Sequence, residues 1–400
     1  MWIERQISAL LIGLEPHNKQ FVTFLMGPRQ CGKSSLLVHH LSNDWIEVSF
    51  DDLEIRRNAQ SDPHFFLNFY KNKNIIIDEA QYAPALFHEI KRMIDLKKRS
   101  RLSGFEKKSD PYPNKIYLTG SNRIFMENKV HESLAGRAHF LEMNTLSTSE
   151  LLNWNPEIDI IDIIYHGGWP EVYAQKLNVV PYLNDYLRSA VEKDIALVNG
   201  VQKVDDFMRA LQLLANRTGE LLNYENLSKD CGVSANTLRE WVSFLHRMGI
   251  IGLLRPYHSN LNKRLTKQPK IYFLDTGLAV RLQGYSSIES LKSNPRLGSL
   301  FETLVCAEII KVRMNFNLSF QVFLWRSKDG EEIDFLIETA EKIILIEVKM
   351  GYQNAPHFRV PPSILAVAKG REIVQMTVTL AGTHPISSLK DFLLKTLSQD

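Results

Sequence analysis

Residues 27–34 read Gly-Pro-Arg-Gln-Cys-Gly-Lys-Ser, a complete GxxxxGK[ST] loop, and an apolar run over 21–26 leads into it. Few sequence features constrain a fold as tightly. The loop works only where a buried strand delivers a glycine-rich turn and a helix leaves it. Backbone N–H groups and the positive end of the helix dipole then face one polyphosphate. The N-terminal part of the chain is therefore expected to be an α/β layer with its ligand at the strand ends. Gly27, Pro28, Arg29, Gln30, Cys31 and Gly32 would form the cradle, with the side-chain roles of Arg29 and Gln30 left open. Lys33 would reach the β/γ-phosphates and the Ser34 hydroxyl would sit on Mg²⁺. A strand–turn–helix that merely happens to carry glycine and lysine is the competing reading. The strand before the loop and Ser-Leu-Leu-Val after it weigh against that.

A second acidic segment supports the first. Residues 74–81, Asn-Ile-Ile-Ile-Asp-Glu-Ala-Gln, place two carboxylates after three consecutive isoleucines. Such a β-branched run suits a parallel strand buried on both faces, with the acids at its ligand-binding end. Asp78 would hold Mg²⁺ through its water shell and Glu79 would polarise the attacking water; a simple helix cap is the alternative. Residues 45–50, ending in Asp51-Asp52, supply an intervening strand. A further strand over 115–122 ends in Thr119, Ser121 and Asn122, any of which could sense a γ-phosphate. Arg137, after a helical stretch, either stabilises transferred charge, in its own site or a neighbouring subunit's, or makes a structural salt bridge.

The series GPRQCGKSSL, SFDD, IIIDEAQ, LTGSN, SLAGR and GGWPE (167–171) resembles a family of bacterial and archaeal AAA+ ATPases. Its members carry a C-terminal part called domain-of-unknown-function family 4143. The likeness runs from the N-terminus to about residue 350 and keeps motif order. It implies ATP and Mg²⁺ as cofactors, ATP hydrolysis, and roles for Lys33, Ser34, Asp78 and Glu79 in binding and turnover. The chain departs from the family pattern at Ser34, where threonine is commoner, and at Trp169 in a usual Gly-Gly-Tyr-Pro-Glu stretch. Its basic segment 91–114 is longer than usual, and no second sensor arginine is assignable.

At 400 residues the chain is too long for one ordinary core, so two to four domains are expected. No apolar run reaches the roughly 18–20 residues of a membrane span, and residues 1–6 lack the plan of a signal peptide. The cysteines Cys31, Cys231 and Cys306 stand far apart with no CxxC, which argues against a disulfide framework or zinc site and fits a cytoplasmic location. A net charge of +3 permits nucleic-acid binding without requiring it. The basic run Lys91, Arg92, Lys97, Lys98, Arg99, Arg101, Lys107, Lys108 is a candidate footprint, although such runs are usually solvated.

Residues 146–215 read as a helical, polar-faced lid or connector. Residues 223–232 suggest a short helix ended by glycine, and Ser234 caps a longer one over 235–248 in which Leu238, Val242, Leu245 and Met248 recur at helical spacing. Strands over 250–254 and 270–274 follow, joined by a loop with Lys263, Arg264 and Lys267. That is a winged helix-turn-helix plan. Ser234, Asn236, Thr237 and Arg239 would lie near base edges if the helix enters a major groove. A packing or partner role fits equally well, since Glu240 sits on the same helix.

Near the C-terminus, 298–311 reads as an amphipathic helix interrupted by Glu302. A strand over 321–326, the turn signal Asp329-Gly330, a return strand over 332–337 and a strand over 342–349 follow. Alternation sends Glu347 and Lys349 to one face and Ile344, Ile346 and Val348 to the other, and Asp334 on the adjacent strand can meet the first pair. Two carboxylates would hold Mg²⁺ or Mn²⁺ while the lysine orients water and steadies phosphate charge. The constellation resembles the PD-(D/E)xK nuclease superfamily. By that resemblance Asp334, Glu347 and Lys349 are catalytic, and Glu302 joins Asp334 and Glu347 as a metal ligand. Solvated charge on a half-exposed hairpin is the bland alternative.

The expected architecture is α/β and multidomain. It comprises a P-loop AAA+ parallel core (1–145), a helical lid or connector (146–215), a winged helix-turn-helix (216–285) and a restriction-endonuclease-like α/β domain (286–400). The expected activity is that of an ATPase acting on or sensing DNA or RNA, with a metal-dependent nuclease centre and homo-oligomeric assembly. The alternative is an NTP-driven switch whose C-terminal domain binds without cutting. A helicase or translocase is weaker, because no helicase motif series accompanies the nucleotide motifs.

Overall fold

The computed structural model describes residues 1–14, 21–41, 44–103, 112–120, 134, 136–191, 204–258, 268–327, 330–351, 358–368, 370–381 and 385–397. They form two compact units, Arg5–Asn144 and a second of Met1–Glu4 with Thr145–Asp400.

Arg5–Asn144 is built on five parallel strands: β1 (Val22–Met26), β2 (Trp45–Ser49), β3 (Asn74–Asp78), β4 (Lys115–Gly120) and β5 (His139–Glu142). Their order is β2-β3-β4-β1-β5. Ile75, Ile76 and Ile77 are buried, as a strand covered on both faces requires. β2 follows β1 in sequence but lies at the sheet edge; the strand between β1 and β3 in space is β4. That order brings the C-terminal ends of β1, β3 and β4 together. Helices Lys33–His40, Leu53–Ser61, Pro63–Phe69 and Ala85–Ser103 complete the layer. Phe24, Phe50, Leu86, Phe87 and Leu118 lie in its core. Asp52 caps Leu53–Ser61 by accepting from Glu54 N and Ile55 N, and Asp62 caps Pro63–Phe69.

In the second unit, helices Thr148–Trp154, Ile160–His166, Pro170–Ala174 and Val179–Tyr186 come first. They are more deeply packed than a polar-faced connector: Ile161, Ile164, Trp169, Val172, Leu183 and Tyr186 are all buried. Their short lengths hide the apolar period from a sequence window. Val204–Ala215, Tyr224–Cys231 and Ala235–Arg247 follow, then a hairpin of β6 (Ile251–Leu254) and β7 (Lys270–Phe273). Gly232 ends Tyr224–Cys231 in the left-handed conformation, and Ser234 caps the next helix by accepting from Thr237 N at 3.0 Å. Leu238, Val242, Leu245 and Met248 are buried, as their spacing requires.

The last sheet has the order β11-β10-β9-β8, from β8 (Gln321–Arg326), β9 (Glu332–Glu338), β10 (Lys342–Lys349) and β11 (Glu372–Thr379). β8, β9 and β10 pair antiparallel, and β11 joins β10 in parallel. The long helix Leu297–Asn315 is buried along most of its length. A β-bulge falls where Phe323 faces Leu336 but Trp325 faces Ile333, so Asp334 and Phe335 together oppose a single residue.

Candidate functional site

The phosphate loop leaves β1 under tight steric control. A Cβ on Gly27 would lie 2.1 Å from the Met143 carbonyl oxygen, so only glycine fits there. The turn passes through positive φ at Gln30 (58°) and Gly32 (93°) before the helix Lys33–His40 begins. The Lys33 ammonium, on a buried side chain, donates to the carbonyls of Gly27 (3.0 Å) and Pro28 (2.7 Å). Ser34 Oγ donates to Asp78 Oδ1 at 2.7 Å, and the Thr119 hydroxyl donates to the same oxygen. Strand order explains this meeting, because β4 carries Thr119 between β1 and β3.

Glu79 adopts positive φ (53°) and accepts from the Gln81 amide. Arg29 extends from the loop to this point, 3.9 Å from Glu79 Oε1 and 3.2 Å from the Tyr82 hydroxyl. The open role of Arg29 thus acquires a location beside Glu79. Ser34 and Asp78 offer adjacent hard oxygen donors at a strand end, a set that fits Mg²⁺ with water completing its shell. Of the two readings of Arg137, the structure shows the salt bridge: Nε donates to Asp95 Oδ1 at 2.8 Å and Nη2 to Oδ2 at 3.3 Å. Ser121 and Asn122 lie outside the described residues.

Arg5 is a part of the site that motif reading missed. Its guanidinium is buried and donates to the carbonyls of Cys31 (2.8 Å) and Asn144 (2.7 Å), tying the loop to the segment after β5. Arg5 precedes the helix Ser8–Leu14 and lies outside every motif, so its place in the sequence gave no signal.

In the C-terminal sheet, β9 and β10 end their register at Phe335 and Ile346, which brings Asp334 beside Glu347. Asp334 Oδ2 accepts the Val348 N–H at 2.8 Å, replacing a ladder bond. Lys349 Nζ lies 2.9 Å from Glu347 Oε2. Burial raises the Asp334 carboxyl to about 7, with the Glu302 and Glu347 charges adding to the effect. Burial lowers the Lys349 amine, but its hydrogen bond to Glu347 and the surrounding carboxylates outweigh this and leave it raised. The sheet therefore brings together Asp334, Glu347 and Lys349, with Glu302 close enough to act on two of them electrostatically.

Glu302 itself is engaged elsewhere. Its Oε1 accepts from the Tyr272 hydroxyl at 2.5 Å and from Lys270 Nζ at 3.3 Å. Asp334 and Glu347 form a fitting pair of oxygen donors for a divalent ion. Lys270 and Tyr272 gave no sequence signal, since they belong to a hairpin some thirty residues before Glu302.

On the helix Ala235–Arg247, Arg239 is held by Glu225 (2.9 Å) and Asn236 (3.0 Å) and stacks over Tyr224. Lys263, Arg264 and Lys267, like Lys107 and Lys108, lie outside the described residues. No described helix is long and apolar enough to cross a membrane.

Comparison with known proteins divides the chain in three. Residues 19–152 match an AAA domain, 157–289 match the domain of unknown function DUF8612, and 297–387 match the domain of unknown function DUF4143. An uncharacterized protein of Mycobacterium tuberculosis is 26% identical over 353 residues, covering 87% of this chain and 74% of that protein. An uncharacterized protein of Methanocaldococcus jannaschii is 24% identical over 378 residues, 85% of this chain and 77% of its own. Among solved structures, the ORC2 protein of Aeropyrum pernix in its ADPNP-ADP complexes is 14% identical. It covers 75% of this chain and 92% of its own, at a TM-score of 0.37.

Proposed function

For a chain that joins an AAA domain to a DUF4143 region, we propose an ATP-hydrolysing protein that acts on nucleic acid through a metal-dependent centre at Asp334, Glu347 and Lys349. One observation carries the reading: the same chain pairs a phosphate loop, with Ser34 and Thr119 both on Asp78, with a second strand-end cluster of two carboxylates and a lysine. At the first site Lys33 binds the β/γ-phosphates, Ser34 and Asp78 hold Mg²⁺, and Glu79 takes a proton from the attacking water. At the second, Asp334 and Glu347 hold the divalent ion and Lys349 steadies charge on the phosphodiester. Bound there, the ion supplies Lewis-acid polarisation of a phosphoryl oxygen.

Lys33→Ala should abolish ATP binding, while Glu79→Gln should bind ATP normally and turn it over slowly. Unchanged binding in the first variant refutes the nucleotide assignment. For the second site, wild type and Glu347→Ala are incubated with DNA and RNA in Mg²⁺ or Mn²⁺. Metal-dependent cutting by wild type alone supports the centre; no cutting, or equal cutting by both, removes it. The second outcome favours an NTP-driven switch whose C-terminal domain binds without cutting. Internal charge compensation supports that reading, since Lys349 pairs with Glu347 and Lys270 with Glu302.

A further inference from the structure

We infer that Arg29 is a catalytic residue of ATP hydrolysis, supplied by the phosphate loop itself to the γ-phosphate, and that Tyr82 is the positioning residue that aims it. This rests on the nucleotide-site reading above and deepens it.

Three observations converge on Arg29. The first is where the loop sends its side chain. Buried Pro28 precedes it and Gln30 follows at a φ of 58°, and the guanidinium between them runs to the end of β3, 3.9 Å from Glu79 Oε1. The second is how it is held there. Its Nη2 donates to the Tyr82 hydroxyl at 3.2 Å. Tyr82 is itself fixed from two sides. The Arg56 guanidinium lies 4.3 Å from its ring centroid and is anchored by a bond from Arg56 Nε to the Phe50 carbonyl at 2.7 Å. Gln60 Nε2 donates to the Tyr82 carbonyl at 2.6 Å. The third is what lies beside Arg29. Glu79 adopts a φ of 53°, a left-handed conformation that glutamate rarely takes, and it directly follows Asp78, whose Oδ1 accepts from Ser34 of the same loop. Arg137, the other arginine considered for this role, is paired with Asp95.

The chemistry of hydrolysis gives the guanidinium its partner. A water attacks the γ-phosphorus, the bond to the bridging oxygen breaks with its electron pair leaving on ADP, and the water's proton passes to Glu79. The base must lie within about 3 Å of that water, and the water within about 3–3.5 Å of the phosphorus. A cation beside Glu79 is therefore about one water's width from the γ-phosphate oxygens, where charge is spread in the transition state. A planar guanidinium fork can serve a carboxylate and a phosphate oxygen together. ADP has no group at that place, and its phosphates are left to the loop N–H groups and Lys33. Arg29 should thus tell ATP from ADP in binding and steady the transition state in turnover.

The test is calorimetric titration of the full chain, in Mg²⁺, with ADP and with the β,γ-imido analogue of ATP, followed by steady-state ATP hydrolysis. Arg29→Met should weaken the analogue at least about tenfold while ADP stays within about twofold, and kcat should fall at least about a hundredfold. Arg29→Lys keeps the charge but not the fork, and should lie between wild type and Arg29→Met in both measurements. Tyr82→Phe removes one hydroxyl, so kcat should fall about three- to tenfold with KM and ADP affinity within about twofold. Retained ADP binding shows that each variant is folded. An analogue-to-ADP affinity ratio unchanged by Arg29→Met overturns the inference, whether neither nucleotide weakens or both weaken together, as they would if Arg29 only braced the loop. Tyr82→Phe with the kcat of wild type overturns the positioning role. If wild type binds neither nucleotide, the nucleotide-site reading itself fails, an outcome distinct from any change in the ratio.

Discussion

Asp275 offers a sharp test of how the second unit is held together. Its buried carboxylate accepts from Gly168 N (2.8 Å), Trp169 Nε1 (3.1 Å), Leu278 N (3.0 Å) and Thr145 Oγ1 (2.9 Å). It caps the helix Thr276–Leu282 and at the same time secures the Gly-Gly-Trp-Pro segment. The space around it admits no side chain at that segment: a Cβ on Gly167 would lie 2.2 Å from Asp275 Oδ1, and one on Gly168 would lie 2.2 Å from the Leu146 carbonyl oxygen. Asp275→Ala strips three buried N–H groups of their acceptor. At about 1–3 kcal/mol for each orphaned donor, partly relieved by rearrangement, the loss is about 3–6 kcal/mol. That is a large share of the roughly 5–15 kcal/mol that holds a folded protein. Asp275→Asn keeps one oxygen for the helix cap but turns an amide toward a donor, so its cost should be intermediate, about 1–3 kcal/mol. Urea unfolding followed by tryptophan fluorescence reads both, with Trp169 as a reporter inside the network. An Ala variant within about 1 kcal/mol of wild type, or an Asn variant as damaged as Ala, would refute the reasoning.

Arg5→Met should cost about 3–5 kcal/mol, because two charge-assisted bonds to buried carbonyls are lost, and Arg5→Lys should recover only part of that. Thermal melting with and without ATP measures both; equal melting of all three proteins would show that Arg5 does not brace the loop. Glu89 gives the pH prediction. Burial pushes its carboxyl up, but hydrogen bonds from Arg92, Tyr112 and His64 outweigh burial and hold it at about 2. A carboxyl lowered on folding stabilises above its ordinary range, and that stability is lost as pH falls toward 2. Glu89→Gln should therefore lower stability at neutral pH and flatten the acid limb of a stability-against-pH curve. Parallel acid limbs in the two proteins would contradict the assignment.

Much of the fold was legible because its signals are local. Three isoleucines and two acids mark β3, Gly232 and Ser234 bracket a tight turn, and the apolar run Ile343–Ile346 marks β10. Each of these depends on residues within a few positions of one another. Strand order was not legible: nothing between residues 45 and 120 says that β4, rather than β2, lies between β1 and β3. The Gly-Gly-Trp-Pro segment could be read as a motif but not explained. Its reason is Asp275, about one hundred residues later. Glu308 and Lys311 are invisible for the same cause. Glu308 accepts from the Thr148 and Ser149 backbones, and Lys311 donates to the Leu146 carbonyl, all of them buried.

The two candidate sites differ in the same way. Eight consecutive residues specify the phosphate loop, so its identity is legible without the rest of the chain, while Asp78, the Met143 carbonyl and the brace from Arg5 meet it from outside the motif. The carboxylate centre is assembled across three elements. The spacing from Asp334 through Glu347 to Lys349 could be read because a hairpin makes sequence distance into spatial adjacency. It could not reveal the bulge at 334–335, nor that the Asp334 side chain accepts the Val348 N–H just past the end of the β9–β10 register. Nor could it assign Glu302. A helix acid near two strand acids could be read as a candidate ligand, but not its two donors, which come from β7. Lys270 and Tyr272 supply the donors to Glu302, so the charge beside this centre is set in part by a hairpin outside the sheet that carries Asp334 and Glu347.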